Sequence, residues 1–303
     1  MKTNHTPVHF RSLSALREAM GLSAPLHPLI TIVNYEDVNF DPKVFEHGTK
    51  SDFYKISFKI KFKGKVRYGQ GYYDFEEGGL SFVAPGQVLM FEQEERTYSG
   101  MSLHIHPDFI RPYSLLKKIK NYGFFSYAAS EALYLSEKEK KTIMDVFENI
   151  QSELNERIDH FSQDVIISQI ELLLTYSNRF YNRQFITRKS VNNDLVSKME
   201  DLLDEYFDKE KGIKGLPTVE YIASQLNLTP RYLSDMLRHH TGQSAQQHIH
   251  EKLIEKAKEY LSEEHLSVSE TAYQLGFEHP QSFNKLFKNK TKQTPNQYRQ
   301  SFQ

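Results

Sequence analysis

The sequence predicts an α+β chain in three parts: a β-rich domain over residues 1–130, a helical connector over 131–190 and an all-α domain over 191–303. Three observations carry this division. The hydrophobic period changes from two to about 3.6 near Ser136, the last hundred residues are cut into short helices by cap and turn residues, and one segment of that last region occurs twice. A chain of 303 residues is longer than one small core usually serves, and 39% hydrophobic residues are enough for two.

Residues 26–108 carry the strand signals. FYKISFKIKFKG, RYGQGYYDF, GLSFVAPGQVLMF and YSGMSLHIH are short, aromatic and β-branched, and are separated by Gly, Pro and Glu-rich turns. Tyr54, Ile56, Phe58 and Ile60 alternate with Lys55, Ser57 and Lys59, the period of a strand with one buried face. Several such strands without long helices between them predict a barrel or a sandwich, whose apolar interior is either filled or open to a ligand. Tyr54, Phe58, Tyr68, Tyr72, Phe82 and His104 are the candidate lining residues, and each also suits a hydrophobic core.

From Ser136 the pattern is helical. Ser136 and Glu139 predict a capping box ahead of Ile143, Val146, Phe147, Ile150 and Leu154. A second stripe joins Ile166, Ile170, Leu173, Leu174, Ser177 and Tyr181, and the two helices can pack on each other, on the sheet or across a dimer axis. The basic run NRFYNRQFITRKS, residues 178–190, reads as a solvated helix end or linker and marks a boundary. Beyond it lie a short stripe at Met199, Leu202, Leu203 and Tyr206, a loop, and successive helices over 219–226, 230–238, 245–261, 268–275 and 280–288, with a closing helix at Pro295.

IASQLNLTPRYLSDMLRHHTGQS, from Ile222, aligns with TAYQLGFEHPQSFNKLFKNKTKQT, from Thr271, at a shift of 49 that becomes 50 after one extra residue in the second turn. Each copy reads as helix, sharp turn and helix. In the second copy Ser267 and Glu270 cap the first helix, Gly276 supplies a positive φ, His279 stands at the next cap and Pro280 at the first helical position. Phe283, Leu286 and Phe287 point inward and leave Gln281, Asn284, Lys285 and Lys288 outside. Gln and Asn can read adenine edges, Lys can meet guanine acceptors or phosphate, and Ser282 can contact either. An ordinary solvated helix would look similar, and the duplication is what favours a nucleic-acid face. In the first copy the outward residues are Arg231, Ser234, Asp235 and Arg238, with Asp235 repelling phosphate unless it meets a cytosine amino group or organises an arginine. The joining helix, with its seam of Ile249, Leu253, Ala257, Tyr260 and Leu261, is long enough to set two readers about one duplex turn apart.

These residues resemble the DNA-binding domain of the AraC/XylS family of bacterial transcriptional regulators. The second copy carries most of the family pattern in Ala272, Leu275, Gly276, Phe277, Phe283, Phe287, Lys288, Thr294, Pro295, Tyr298 and Arg299. It departs at Lys292, where glycine is common, and at Asn284-Lys285, where a small residue and Arg are frequent. FVAPGQVLMF and LHIHPDF are more broadly similar to the last strands of the sensory domain found with such readers, and RFYNRQFITR to the end of its dimerising helices. The resemblance implies a cupin-like β-barrel sensory domain, a small-molecule effector, a homodimer, double-stranded DNA and RNA polymerase as partners, and activation more than repression. The alternative is a non-enzymatic small-molecule-binding or protein-interaction module that has lost specific DNA reading.

Other chemistry finds little support. There is no cysteine, which removes disulfides, thiolate nucleophiles and Cys-based zinc sites and suits a reducing cytoplasm. His104 and His106, with Glu76, Glu77 and Glu92 nearby, lack a third histidine at metal-site spacing, so structural or surface histidines are the reading. His239-His240 fits no ordered ligand pattern, and the glycines at 69, 71, 78 and 79 fit no phosphate loop. No enzyme and no cofactor are expected. The N-terminus has no secretory core and no stretch reaches membrane-spanning length, so a soluble cytoplasmic protein without a membrane partner is the expectation. A net charge of −1 gives no global field for nucleic acid, and any binding must be local.

Overall fold

The computed structural model describes residues 7–39, 44, 47–63, 65–68, 71–74, 78–91, 97–128, 131–156, 159, 161–187, 189–207, 215–262 and 266–301, with backbone alone at 61–63, 65–68, 71–74, 90–91, 97–98 and 189–191. The chain forms two compact units, Met1–Thr187 and Arg188–Gln303.

The first unit is a mixed α+β unit with two five-stranded sheets. Its elements are β1 (Val8–Phe10), α1 (Leu13–Ala19), β2 (Ile30–Asn34), β3 (Thr49–Ser51), β4 (Tyr54–Lys63), β5 (Lys65–Tyr68), β6 (Gly71–Asp74), β7 (Gly79–Val83), β8 (Val88–Phe91), β9 (Thr97–Ile105), α2 (Pro107–Ile110), α3 (Leu115–Lys118), β10 (Leu133–Tyr134), α4 (Glu137–Asn155) and α5 (Ser162–Thr187). One sheet has the order β1-β3-β8-β5-β6 and the other β10-β7-β4-β9-β2, so among the described strands the sheets do not join into one closed barrel. β1 and α1 carried too little pattern to be expected from the sequence.

The central strand β4 is long because its residues are β-branched, aromatic or amphipathic throughout, and it pairs antiparallel with both β7 and β9. Its pairing with β9 slips between Lys59 and Lys61. Gly100 lies opposite that slip with φ +124°, and a Cβ there would come within 2.2 Å of the Phe58 carbonyl oxygen. Only glycine lets β9 approach the irregular stretch so closely.

One face of β4 corrects the expectation from its alternation. Tyr54 and Phe58 are buried as expected, but Ser57 and Lys59, at 3% and 7% exposure, are buried too. Helices cover the apolar face. Phe58 meets Phe147 of α4, Tyr54 meets Phe125, and Phe82 packs at 4.3 Å between centroids on Phe124 and also touches Tyr181 of α5.

The first helix of the pair starts as its cap predicts. Ser136 and Glu139 make the capping box of α4, and Glu139 also accepts from Arg183 Nε and Nη2 at 3.0 and 2.8 Å. Arg183 Nη2 further donates to the Tyr134 carbonyl, and Gln184 Oε1 accepts from the Tyr134 amide, so the end of α5 secures the edge strand β10. Part of the basic run is therefore spent inside this unit. Among the described residues no helix is long and apolar enough to cross a membrane.

The second unit is all helix: α6 (Lys189–Tyr206), α7 (Val219–Gln225), α8 (Pro230–Thr241), α9 (Ala245–Ser262), α10 (Val268–Gln274), α11 (Pro280–Thr291) and α12 (Pro295–Gln300). Leu233, Met236 and Leu237 of α8 and Phe283 and Phe287 of α11 are buried. Phe283 stands between Phe277 and Phe287, and Phe287 continues the row to Tyr298 of α12, at centroid spacings of 5.5 to 5.7 Å. Leu286, expected inside, is only partly buried.

Candidate nucleic-acid interface

The duplication persists at the level of single hydrogen bonds. α7 ends where Asn227 takes φ +56°, and α10 ends where Gly276 takes φ +89°. In the first turn the Leu228 amide donates to the Ala223 carbonyl at 2.9 Å, and in the second the Phe277 amide donates to the Ala272 carbonyl at 3.0 Å. Each residue is 49 positions from its counterpart. This closure fixes how the chain leaves one helix for the next.

After the extra residue, Glu278, the shift is 50. Thr229 and His279 stand at the N-caps of α8 and α11, each followed by proline. Thr229 Oγ1 accepts from the Tyr232 amide, whereas the His279 side chain makes no capping bond. The helices end on left-handed residues, Gly242 at φ +80° and Lys292 at φ +65°. Thr241 and Thr291 return a hydroxyl to the carbonyls of Leu237 and Phe287 at 2.9 and 2.8 Å, and the amides of Ser244 and Thr294 each donate to Gln247 or Gln297 Oε1 at 2.8 Å.

The outward faces of α8 and α11 therefore correspond position by position. Arg231, Ser234, Asp235 and Arg238 stand where Gln281, Asn284, Lys285 and Lys288 stand. On α11 all four are exposed, as is Ser282, and their spacing of three, four and seven puts them along one line of the helix. Residues 280–292 contain four lysines and no acid. Lys290 leaves this face to approach Glu251 of α9 at 3.9 Å.

On α8 Arg231 and Arg238 are exposed, while Ser234 is half-buried. Asp235 takes Arg231 Nε at 2.9 Å and Arg238 Nη1 at 2.8 Å. It is an organiser of two arginines, and it reduces the net charge of the three side chains to +1. The sequence signal was present in the spacing of minus four and plus three around the acid. His240 Nε2 lies 2.6 Å from Asn193 Oδ1 of α6.

In the first unit the expected lining set divides. Tyr54, Phe58 and Phe82 lie on the helix-covered face of the sheet, packed among aromatics, and His104 lies on the opposite face. The side chains of Tyr68 and Tyr72 are outside the described residues, as are Glu76, Glu77 and Glu92. With His104 come residues that the reading of β4 as half-exposed had missed. Lys55 is its direct partner on β4 and Thr31 on β2, and Ser57 pairs with Ser102 one step along. Ser102 Oγ lies 2.9 Å from His104 Nε2. Burial, then Lys55 and Arg17, hold the His104 pKa well below the usual imidazole value. His106 is occupied otherwise, its Nδ1 accepting from the Asp108 amide at the start of α2.

Comparison with known proteins agrees with the position of the helix-turn-helix units. Residues 222–301 match the family model described as a helix-turn-helix domain. Over 294 residues the chain is 21% identical to the Msm operon regulatory protein of Streptococcus mutans, covering 91% of this chain and 99% of that protein. Over 140 residues it is 27% identical to the HTH-type transcriptional activator RhaS of Salmonella schwarzengrund, and spans 46% of each. Among solved structures, the C-terminal domain of the response regulator yesN from Fusobacterium nucleatum is 32% identical, covering 33% of this chain and 93% of that one, with a TM-score of 0.29. The C-terminal unit thus carries an AraC-type helix-turn-helix domain, and the curated proteins it is similar to are transcriptional regulators.

Proposed function

We propose that the protein is a sequence-specific DNA-binding transcriptional regulator, with α11 as its main reading helix and α8 as an auxiliary one. The observation that carries this is the row Gln281, Asn284, Lys285 and Lys288, exposed along a helix whose entry and exit are set by turns repeated in the first unit. Gln281 and Asn284 offer paired donor and acceptor atoms to adenine, and Lys285 and Lys288 meet guanine or phosphate. Arg231, Ser234 and Arg238 supply the second contact and Ser282 supports the first. α9 has 18 residues, or about 27 Å, which suits two helices entering successive major grooves.

The remaining assignments follow the family. Residues 1–130 act as a sensory domain of cupin-like type that responds to a small molecule, 131–190 couple it to a partner copy, and 191–303 read DNA. A homodimer is favoured by Phe161, Val165 and Leu172, which are 70%, 40% and 40% exposed at the start of α5 and along it. Activation through contact with RNA polymerase is favoured over repression because the RhaS relative is named an activator. An effector then shifts the population of DNA-competent arrangements.

The test is a salt-titrated gel shift on the DNA upstream of neighbouring genes, with Lys285→Ala alongside. Specific retention that weakens with salt and loses discrimination in the variant is expected. No specific complex even at low salt would leave the non-DNA interaction module as the better reading. Light scattering on Leu172→Glu, expected to be monomeric where the native chain is dimeric, tests the dimer.

A further inference from the structure

Among the described residues, no carboxylate stands beside Lys55 on the face of the N-terminal sheet that carries His104. Protein surrounds the Lys55 ammonium, while the residue as a whole is only half-buried. Burial alone lowers its pKa to about 8, and among the described residues no carboxylate pairs with it. An enclosed cation without a partner is unfavourable, which makes such a group unusual outside a ligand site.

Its neighbour shows a second unmet demand. His104 is 1% exposed, its Nε2 is engaged by Ser102, and its buried Nδ1 has no hydrogen-bond partner. The buried Tyr35 hydroxyl lies near Ser57 and Ser102, and Phe53 lies edge-on to the imidazole at 5.8 Å. Lys55 thus stands beside neutral hydroxyls, an imidazole and one apolar ring, with Lys59 farther along the same face of β4.

The charges decide the ligand class. Arg17, the other cation acting on His104, already donates to Thr31 Oγ1 and to the carbonyls of Ile32 and Ser23, and Asp37 offsets its charge. A neighbouring open cleft of about 300 Å³, lined by Arg17, His27, Thr31, Asn34, Asp37 and Gln151, therefore has no comparable surplus. Among the described residues, Lys55 is the cation beside His104 that has no partner, since Lys59 on the same face is engaged. A dianion would overcompensate it, and a neutral sugar would leave it unpaired.

We infer that Lys55 and His104 anchor an effector site for a small monocarboxylate, one carboxylate oxygen accepting from Lys55 Nζ and the other from His104 Nδ1–H. The inference rests on the reading of the N-terminal unit as sensory and names the chemistry that it senses.

The probes are formate and acetate on the full chain, with chloride at equal ionic strength, inorganic phosphate and glucose as controls. The carboxylates raise the melting temperature by about 2–4 °C when present at roughly ten times their dissociation constant. Lys55→Met and, as a second variant that keeps polarity, Lys55→Gln abolish this rise while retaining the native circular dichroism. The assignment is overturned by the absence of a carboxylate response, by one that survives in either folded variant, or by a larger response to phosphate or glucose. Gel shifts separate the two readings: specific DNA retention without any carboxylate response removes the site and leaves the regulator. A Lys55-dependent carboxylate response in a chain that retains no specific DNA upholds the site and removes the regulator.

Discussion

The two helix-turn-helix units share a backbone plan and differ in how they use charge. Lys285 of the second stands where Asp235 stands in the first, and this one exchange reorganises the face around it. In the first unit the acid gathers Arg231 and Arg238 into one bridged group. In the second, Lys285 and Lys288 share an exposed face with Gln281 and Asn284 that contains no acid. The two units thus share the turns that aim the helices, while the side chains along them differ.

The strongest way to test this contrast is to remove both cations of each face. Lys285→Ala with Lys288→Ala is expected to weaken specific DNA binding about 100-fold and to reduce the salt slope by about 2, whereas Arg231→Ala with Arg238→Ala costs about tenfold because Asp235 already takes part of their charge. Equal losses from the two pairs, measured by fluorescence anisotropy across a salt series, would remove the distinction between main and auxiliary reader.

A smaller effect sharpens the role of the acid. Asp235→Ala releases both arginines and removes a charge that repels phosphate, so affinity should rise about three- to tenfold on specific and unrelated duplexes alike. A loss confined to one operator sequence would instead identify Asp235 as an acceptor from a cytosine amino group.

The smallest effects belong to the turns. Lys292 holds the left-handed position that Gly242 holds in the first unit, a conformation costing a side-chain-bearing residue about 1 kcal/mol. Lys292→Gly should stabilise the C-terminal unit by roughly that amount, and Gly242→Ala should destabilise it similarly, both read by chemical denaturation. Asn227→Gly, at φ +56°, should change stability by only a few tenths of a kcal/mol, because asparagine tolerates this region. If Lys292→Gly is neutral, the bond from Lys292 Nζ to the Asn289 carbonyl at 3.1 Å compensates the strain.

Most of the second unit was legible because its signals are local. A cap acts on an amide three residues away, a positive φ acts on its own residue, and a proline acts on the first turn, so Ser267, Gly276, Pro280 and Thr294 announce their structure without a partner. Asn227 and Lys292 were less legible in the same role, since neither side chain requires a left-handed backbone. The sheet was legible as strands, although RYGQGYYDF and GLSFVAPGQVLMF, each read as one segment, contribute to two strands apiece. Its faces were not. Alternation in β4 separates Tyr54, Ile56 and Phe58 from Lys55 and Ser57, but it says nothing of which face meets water, and here both are covered.

By itself, then, the sequence determined the order of elements, the duplicated turns and the row of polar side chains on α11, because each follows from contacts within a few residues or from the periodicity of a single element. Tertiary structure alone decided that Asp235 bridges two arginines, that Tyr54, Phe58 and Phe82 serve a sheet-to-helix core, and that Lys55 lies enclosed beside His104. Those outcomes depend on rotamer choice or on pairing between strands nearly fifty residues apart, and the energy of a charge depends on what surrounds it. Lys55, which reads as a solvated lysine on a strand, is surrounded by protein once the strands have paired.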